Sequence, residues 1–383
     1  MRETAQRLAS VQEYYFSRKL REVAAMIQAG HPVINMGIGS PDLPPPAAVE
    51  QALTSALQHP KAHMYQSYQG IPELREAMAT FYQKHYGVSL DFQTEILPLI
   101  GSKEGIMHIA MAFLNKGDQV LIPNPGYPTY AAVAKLVEAE PVFYNLKEAN
   151  QWQPDFEALD RLDTSKVKLC WLNYPHMPTG TQAETATFDR LIGWAREHKV
   201  LLVHDNPYSF ILNPSPQSLL ARPGAKEVAI ELNSLSKSFN MAGWRVGMAC
   251  GNAEAIQAVL KVKSNMDSGM FFGVQQGAIA ALNQSSDWFD SLNVVYHKRR
   301  LLMEKLAAQL ELQALPNQVG MFLWAKLPEN GMNAIDFTEK LLQDYHLFIA
   351  PGTIFGSEGE GYVRFSLCVK EAQIETALKR IAS

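Results

Sequence analysis

Short apolar segments alternate with amphipathic segments through the middle of the chain. The apolar runs predict strands at residues 95–100, 119–125, 141–146, 166–174, 199–205, 227–234 and 245–251. Between most of them, apolar residues recur at helical spacing, for instance at 103–117, 129–140 and 184–199. Alternating strands and helices are typical of an α/β fold, in which helices cover both faces of a mostly parallel sheet.

The pattern changes near Asp287. A long amphipathic stretch at 291–312 precedes shorter segments at 321–327, 336–345 and 362–367. These segments predict a smaller α+β domain, joined by the N-terminal arm. The predicted division is a large domain at 45–287 and a small domain formed by 1–44 and 288–383.

Composition narrows the possible functions. The chain has 383 residues, with 34 basic and 38 acidic side chains and a net charge of −4. This balance argues against nucleic-acid binding, which leaves a basic footprint. Charged residues make up 19% of the chain, below the roughly 25% of an average soluble protein, which suggests that some surface is buried against a partner subunit.

Cysteine spacing and the chain's N-terminal region predict a cytoplasmic protein. The three cysteines, Cys170, Cys250 and Cys368, lack the spacing of a disulfide framework or zinc site, so we expect buried thiols. The charged first residues lack the apolar region of a signal peptide. The longest uncharged run, 268–286, is broken by glycines and polar residues and predicts a buried helix with a loop, not a membrane span.

We expect no metal site. His59 and His63 have the spacing of paired metal ligands on a helix, but Pro60 lies between them and no glutamate follows His59. The chain also lacks a GxSxG elbow and a Walker A loop.

Polar side chains collect where the predicted strands end. In order along the chain they are Gly101, Ser102, Lys103, Tyr127, Asp205, Tyr208, Ser234, Ser236 and Lys237, with Arg245 eight residues further on. Each has an ordinary explanation by itself: Ser102 could cap a helix, Tyr127 could pack in a turn, and Lys237 could be solvated. Because ligands of parallel sheets bind beyond the carboxyl ends of the strands, the convergence favours a binding site.

The residue types at this edge fit one cofactor. A helix N-terminus with Ser102, Ser234 and Arg245 would hold a phosphate. Tyr127 offers a face for a planar ring. An aspartate suits a protonated ring nitrogen, and a lysine forms a Schiff base with an aldehyde, which together describe pyridoxal 5′-phosphate.

At these residues the chain resembles the class I/II aminotransferases, which are pyridoxal-phosphate enzymes of fold type I. The segments that carry the resemblance are INMGIGSPD (34–42), YQSYQGIPELREAM (65–78), GSKEGI (101–106), PNPGYPTY (123–130), YPHMPTG (174–180), HDNPYSF (204–210), SLSKSFNMAGWRVG (234–247) and YVRFSL (362–367). The segment VKSNMDSGMFF (262–272) is similar to the branch with alanine-type and LL-diaminopimelate-type enzymes.

The resemblance implies a role for each matching residue. Lys237 would hold the cofactor and shuttle a proton, Asp205 would keep the pyridine nitrogen protonated, and Tyr208 would donate to the phenolic oxygen. At the cofactor, the resemblance implies that Tyr127 stacks on the ring, that Asn173, Met177 and Ser236 lie nearby, and that the phosphate is bound by Gly101, Ser102, Lys103, Ser234 and Arg245. It also implies a homodimer in which Tyr65 reaches the phosphate of the neighbouring subunit. The implied substrate contacts are Ile38, Gly39 and Arg364, with Arg364 on the α-carboxylate.

One position departs from the family pattern. Relatives usually read N-P-T-G, and the asparagine donates to the phenolic oxygen, but here the segment reads Met177-Pro178-Thr179-Gly180. Methionine cannot donate this hydrogen bond. Either Tyr208 acts alone, or Asn173 or His176 contributes, or the pKa of the lysine-bound cofactor is raised.

The implied activity is the transfer of an amino group from an amino acid to a 2-oxo acid by ping-pong half-reactions. The substrates stay undefined. No arginine lies between Arg245 and Arg299 to bind a second carboxylate, although Arg18 or Arg21 could substitute. Tyr14, Tyr15 and Phe16 could instead cover a neutral or aromatic side chain, or simply anchor the arm. Alternative functions are a C–S β-lyase and a non-catalytic sensor or degenerate paralogue.

Overall fold

The structure is a computed structural model and describes residues 3–11, 13, 15–329 and 331–382. Tyr14, one of the candidate covers of a substrate side chain, lies outside the described residues. No described helix is both long enough and apolar enough to cross a lipid bilayer.

The elements follow the order that the hydrophobic pattern predicts. The strands are β1 Ile34–Asn35, β2 Ile96–Leu99, β3 Gln119–Asn124, β4 Glu140–Asn145, β5 Val167–Leu172, β6 Leu201–Asp205, β7 Ala229–Ser234, β8 Gly247–Gly251, β9 Gln313–Ala314, β10 Phe322–Lys326, β11 Leu347–Phe348, β12 Ala350–Pro351 and β13 Tyr362–Ser366. The helices are α1 Tyr15–Gln28, α2 Ala47–Ala56, α3 Pro72–Tyr86, α4 Ser102–Phe113, α5 Pro128–Leu136, α6 Phe156–Asp160, α7 Thr185–His198, α8 Ala225–Val228, α9 Leu235–Ser238, α10 Ala253–Lys263, α11 Phe272–Leu282, α12 Ser286–Gln309, α13 Ala334–Tyr345 and α14 Glu371–Ala382.

A seven-stranded sheet in the order β2-β8-β7-β6-β5-β3-β4 forms the centre of the molecule. Most neighbouring strands in it are parallel, as predicted, but β8 runs antiparallel to both β7 and β2. Gly247, at the start of β8, pairs with Leu99 at the end of β2 and with Ser234 at the end of β7. The reversed strand therefore brings Arg245 to the edge of the sheet where the other strands end.

Burial on both faces explains the nearly continuous apolar strands. All six residues of β7 are buried, because one apolar cluster covers each face of the sheet. Such runs are expected in a sheet sandwiched between helices. The uncharged run near 268–286 forms the predicted helix, α11, which packs against α2.

A polar network lies inside this sheet, next to the strand end that carries Asp205. His204 and Glu231 are both fully buried, and Nδ1 of His204 lies 2.9 Å from Oε2 of Glu231. Glu231 also accepts hydrogen bonds from the hydroxyls of Tyr82 and Ser218. Because a buried carboxylate is tolerated only when it is hydrogen-bonded, this network stabilises the pairing of β6 with β7.

The C-terminal part forms a second sheet in the order β12-β13-β10-β9. The N-terminal segment joins it, because β1 pairs in parallel with β11, and Met36 bonds to the backbone of both Phe348 and Ser366. This connection brings residues 37–39 close to β13, which carries Arg364. The predicted domain limits at 44/45 and 287/288 stay a prediction.

Candidate active site

A cavity of about 420 Å³ opens at the edge of the central sheet where the parallel strands end. It is lined by most residues that the sequence predicts for the site: Ile38, Gly39, Ser102, Lys103, Tyr127, Asn173, Met177, Asp205, Tyr208, Ser234, Ser236, Lys237, Arg245 and Arg364. Gly101 adjoins it, since a Cβ on Gly101 would collide with the guanidinium of Arg245. Tyr65 does not line this cavity; its side chain is 90% exposed on another surface.

Lys237 follows β7 on the short helix α9. Its Nζ donates to the backbone oxygen of Gly39 at 2.5 Å. Burial of the ammonium lowers the pKa of Lys237, the nearby cations Arg364 and Arg245 lower it further, and Cys368 opposes the shift. A lysine with a lowered pKa is more often neutral, and only the neutral amine is a nucleophile or a base.

Asp205 ends β6 and is buried. Its Oδ2 accepts a hydrogen bond of 2.8 Å from the hydroxyl of Tyr130, whereas Oδ1 has no hydrogen-bond partner among the described residues. Burial raises the pKa of Asp205 to about 6, against the lowering effects of Tyr130 and His204. A buried carboxylate oxygen without a donor is unfavourable in the protein alone and suits a cationic N–H group.

Tyr130 is a site residue that the sequence interpretation missed. It lies three positions after Tyr127 on α5, so both rings face the cavity edge, with centroids 5.5 Å apart. Trp171 stacks on the ring of Tyr130 at 4.7 Å and holds the hydroxyl towards Asp205. The helical i, i+3 spacing from Tyr127 was the available signal.

The phosphate-binding residues predicted from the sequence lie around the start of α4. Gly101 has a φ of 82°, which glycine adopts without strain, and α4 begins at the next residue. Arg245 donates from Nη1 to the backbone oxygen of Ala242 at 2.9 Å, which holds its guanidinium near Gly101. The first turn of α4, Ser234, Ser236 and this cation line the same cavity, an arrangement that would suit an anion.

Arg364 lies on β13 and is buried among aromatic rings. Its guanidinium carbon is 3.9 Å from the ring centre of Phe322, 4.6 Å from that of Phe355 and 5.5 Å from that of Phe16. Its Nη2 donates to the backbone oxygen of Gly37 at 2.7 Å. The rings stabilise the cation and fix its plane. The sequence pattern does not single out Phe322 or Phe355, because their proximity to Arg364 depends on the fold.

Met177 is also in contact with Arg364, since its sulfur lies 3.2 Å from Nη1. His176 does not line the cavity; its ring nitrogens lie 2.8 Å from the hydroxyl of Thr179 and 3.1 Å from the backbone oxygen of Pro125. Burial lowers the pKa of His176 to about 3, so the ring is neutral. His176 is therefore unsuited to replace the usual asparagine.

Asn173 lines the cavity, but its amide holds the loop together. Its Nδ2 donates to the backbone oxygen of Asp205 at 2.7 Å, and its Oδ1 accepts from the backbone N–H of Met177 at 2.9 Å. Tyr208 also lines the cavity, with its ring 5.7 Å from that of Phe322. Of the donors that the sequence left open, Tyr208 is the best placed.

One group of possible metal ligands lies outside the cavity. Ligand atoms of Glu104, His108 and Asp267 lie within 4.8 Å of one another. The ammonium of Lys263 already pairs with Asp267, and Glu104 and His108 are hydrogen-bonded to each other at 3.0 Å. These contacts explain, without a metal ion, why the three side chains lie close together.

Comparison with known proteins identifies the family. The model of the family "Aminotransferase class I and II" matches residues 31–381. The chain belongs to the class I and II aminotransferases. It is a pyridoxal-phosphate-dependent aminotransferase of fold type I, as the sequence resemblance implied.

Relatives in this family match along nearly the whole chain. An LL-diaminopimelate aminotransferase of Dehalococcoides mccartyi is 41% identical over 99% of this chain and 98% of its own length. One of Aquifex aeolicus is 39% identical, over 100% of this chain and 99% of its own. Substrate-bound BacF from Bacillus subtilis superposes with a TM-score of 0.95 at 35% identity, over 100% of this chain and 97% of that one.

The residues of the cavity fit the cofactor of this family. The buried Oδ1 of Asp205 suits the protonated ring nitrogen. The missing side chain at Gly101 lets the guanidinium of Arg245 lie against the start of α4, where a cation and backbone N–H groups together suit a phosphate. Lys237 lies in the same cavity with a lowered pKa.

Replacing Tyr130 by phenylalanine should change the pH dependence of cofactor binding. The substitution keeps the stacking on Trp171 but removes the hydrogen bond to Asp205, so the pKa of Asp205 should rise above about 6. The carboxylate is charged only above its pKa, so cofactor affinity falls as the pH is lowered through that pKa. In Tyr130→Phe this loss of affinity should occur at a pH about one unit higher than in the wild type. Absorbance titrations from pH 5 to 8 measure this midpoint.

Tyr144→Phe is the matched control, because Tyr144 is also buried and donates to the backbone of Trp171. It should leave the midpoint unchanged. Equal midpoints in the wild type and Tyr130→Phe would contradict the assigned effect of Tyr130 on Asp205.

The family resemblance implies that an asparagine at position 177 would donate to the cofactor's phenolic oxygen, so replacing Met177 by asparagine should add a donor for that oxygen. A donor there stabilises the deprotonated form of the lysine-bound cofactor, so the visible absorption should titrate about one pH unit lower than in the wild type. Met177→Leu, which keeps an apolar side chain of similar size, should leave the midpoint unchanged. If the visible absorption of Met177→Asn and Met177→Leu has the same pH midpoint, residue 177 does not reach the phenolic oxygen.

Proposed function

We propose that the cavity at the edge of the central sheet is the active site of this aminotransferase, with Lys237 as its central catalytic residue. The observation that supports this most directly is the buried Oδ1 of Asp205. This oxygen has no donor in the part of the chain that the structure describes, and Asp205 lines the same cavity as Lys237, Arg245 and Arg364. The family's cofactor supplies a cation for this oxygen and a phosphate for Arg245.

Pyridoxal phosphate, when bound, supplies an electron sink that stabilises negative charge at the substrate's α-carbon. Asp205 holds a proton on the ring nitrogen, which its carboxylate can do only when ionised. Arg245 and the first turn of α4 hold the phosphate, and Arg364 binds the α-carboxylate with its planar guanidinium.

Lys237 moves the proton at the α-carbon. A base must be neutral before it accepts a proton, and burial has already lowered the pKa of this ammonium. The hydrogen bond to Gly39 holds its Nζ on the side of the cavity formed by residues 38 and 39. The same lysine serves both half-reactions, first with the amino acid and then with the 2-oxo acid.

A homodimer with shared sites is the proposed assembly. Tyr65 is exposed in the single chain, and so are Met64, Tyr68, Met266 and Phe271. The two segments that carry them meet, because a Cβ on Gly269 would touch the backbone of residue 66. Exposed apolar side chains grouped in this way are typical of an interface, which supports the proposal that Tyr65 contacts the phosphate of a partner subunit.

We also propose that the protein acts in the cytoplasm. All three cysteines are free thiols, and Cys170 and Cys250 are buried. Burial raises the pKa of all three thiols, as expected of unreactive structural residues. The β-lyase and sensor alternatives gain no support from the named relatives, which are aminotransferases.

Lys237→Ala should lower the rate of the amino-donor half-reaction by at least about 10³-fold, because general base catalysis is lost together with the amine that holds the cofactor. Stopped-flow absorbance with a panel of amino acids measures this rate. Lys116→Ala, which alters a lysine with 81% of its side chain exposed, is the control and should react like the wild type. Wild-type turnover by Lys237→Ala would overturn the proposed mechanism.

Tyr65→Ala should weaken cofactor binding about tenfold by removing one phosphate contact, whereas Phe143→Ala, a change at an exposed aromatic side chain outside the proposed interface, should not. Mixing Tyr65→Ala with Lys237→Ala tests whether the sites are shared. In a hybrid dimer the Tyr65→Ala chain keeps Lys237 and receives the partner's tyrosine, so part of the sites should regain wild-type affinity. No recovery, with hybrids verified by mass, would contradict the shared site.

A further inference from the structure

Charged side chains and apolar side chains line different parts of the cavity. The charged residues that line it are Lys103, Asp205, Lys237, Arg245 and Arg364. Lys237 and Asp205 have a proposed role at the cofactor, Arg245 at its phosphate and Arg364 at the α-carboxylate, while Lys103 lies in the first turn of α4, at the phosphate end of the cavity. Phe16, Met177, Phe322 and Phe355 line the cavity in contact with Arg364. Together with Leu20 and Ile38, which also line the cavity, they are called the apolar wall.

This apolar wall adjoins the place where the substrate's carboxylate would bind. Phe322, Phe355 and Phe16 all lie within 5.5 Å of the guanidinium carbon of Arg364, measured to their ring centres. An amino acid held by Arg364 carries its side chain two bonds from the bound carboxylate. Its side chain therefore leaves the α-carbon beside these rings.

Helix α1 completes the wall. Phe16 and Leu20 are four residues apart and so lie on the same face of the helix. Both line the cavity together with Ser17, which lies next to Phe16. Tyr15 and Arg18 instead line a neighbouring cavity, so the arm presents an apolar side chain and not Arg18 to the substrate.

The arginines nearest in sequence to the usual carboxylate-binding segment are engaged elsewhere. Arg299 is buried and pairs with Asp42 at 2.6 Å and with Glu371 at 3.3 Å. Arg300 donates to the backbone oxygens of Gly320 and Phe322. Neither lines the cavity.

The basic residues of the arm are also engaged elsewhere. Lys19 pairs with Glu22 and Glu339, and Arg21 pairs with Glu13 on the exposed surface. Within the described part of the chain, Arg364 is thus the only cation next to the apolar wall, and the other cations of the cavity lie at the proposed cofactor and phosphate positions. Among the described residues, Asp205 is the only carboxylate that lines the cavity, and it is assigned to the cofactor, so a side-chain ammonium would also find no counter-ion there.

We infer that this aminotransferase takes amino donors with uncharged apolar side chains, aliphatic or aromatic, in preference to donors with a second charged group. The inference rests on the proposed function, because it assumes that Arg364 binds the α-carboxylate. Apolar side chains gain from leaving water against these rings, whereas a charged group loses its hydration without gaining an ion pair.

The test is the single-turnover half-reaction of the holoenzyme with four donors: L-leucine, L-phenylalanine, L-glutamate and LL-diaminopimelate. Change in the cofactor's visible absorption gives a second-order rate constant for each. Leucine and phenylalanine should exceed both charged donors by about 100-fold, the ratio that an unpaired buried charge produces.

If glutamate or LL-diaminopimelate reacts as fast as leucine and phenylalanine, the inference is overturned and the proposed function stands. If none of the four donors converts the cofactor, the proposed function fails and the inference fails with it. A partner subunit that supplied a second cation would give the first of these results.

A substitution in the apolar wall tests whether this wall contacts the side chain of the substrate. Leu20→Arg places a guanidinium beside the substrate's side chain, so the ratio of glutamate to leucine rates should rise about tenfold or more. Ile27→Arg adds the same charge at an exposed position of α1 away from the cavity and should leave the ratio unchanged. An unchanged ratio in a folded Leu20→Arg protein, verified by circular dichroism, would show that this wall does not contact the side chain.

Discussion

The arrangement of the site depends on one buried carboxylate. Asp205 lies at the end of a central strand, where burial raises its pKa to about 6. Without a ligand this burial costs free energy, since Oδ2 accepts a hydrogen bond from Tyr130 while Oδ1 has no donor among the described residues. The fold tolerates it because a hydrogen-bonded network, with His204 and Glu231, holds the two strands beneath it. A group that stays buried at a cost is expected where a ligand uses it.

The cations of the cavity, like the carboxylate, are held at a cost that bound ligands would relieve. Four cationic side chains face one carboxylate, in a chain whose formal net charge is −4. Repulsion between Lys237, Arg245 and Arg364 contributes to the lowered pKa of the lysine. The phosphate of the cofactor and the carboxylate of a substrate would relieve this repulsion at two separate places. The cavity thus favours an anionic cofactor together with an amino acid.

Aromatic rings line the part of the cavity around Arg364. Around Arg364 they stabilise the cation and also form the wall next to the substrate's side chain. One structural feature therefore binds the part common to all amino acids and selects among their side chains. Met177 fits this wall better than an asparagine would, because its thioether is apolar and packs against Arg364.

The sequence by itself determined the α/β architecture, the strand order along the chain, the cofactor class and most residues of the cavity. These follow from local signals: apolar periodicity, glycine and serine at strand ends, and short motifs. Only the tertiary structure decided that β8 is reversed, that Tyr130 bonds to Asp205, that His176 points elsewhere, and that Phe322 and Phe355 surround Arg364. Such contacts join distant residues, 75 positions apart for Tyr130 and Asp205 and 327 for Gly37 and Arg364. No local pattern encodes them, because packing of whole elements sets which side chains meet.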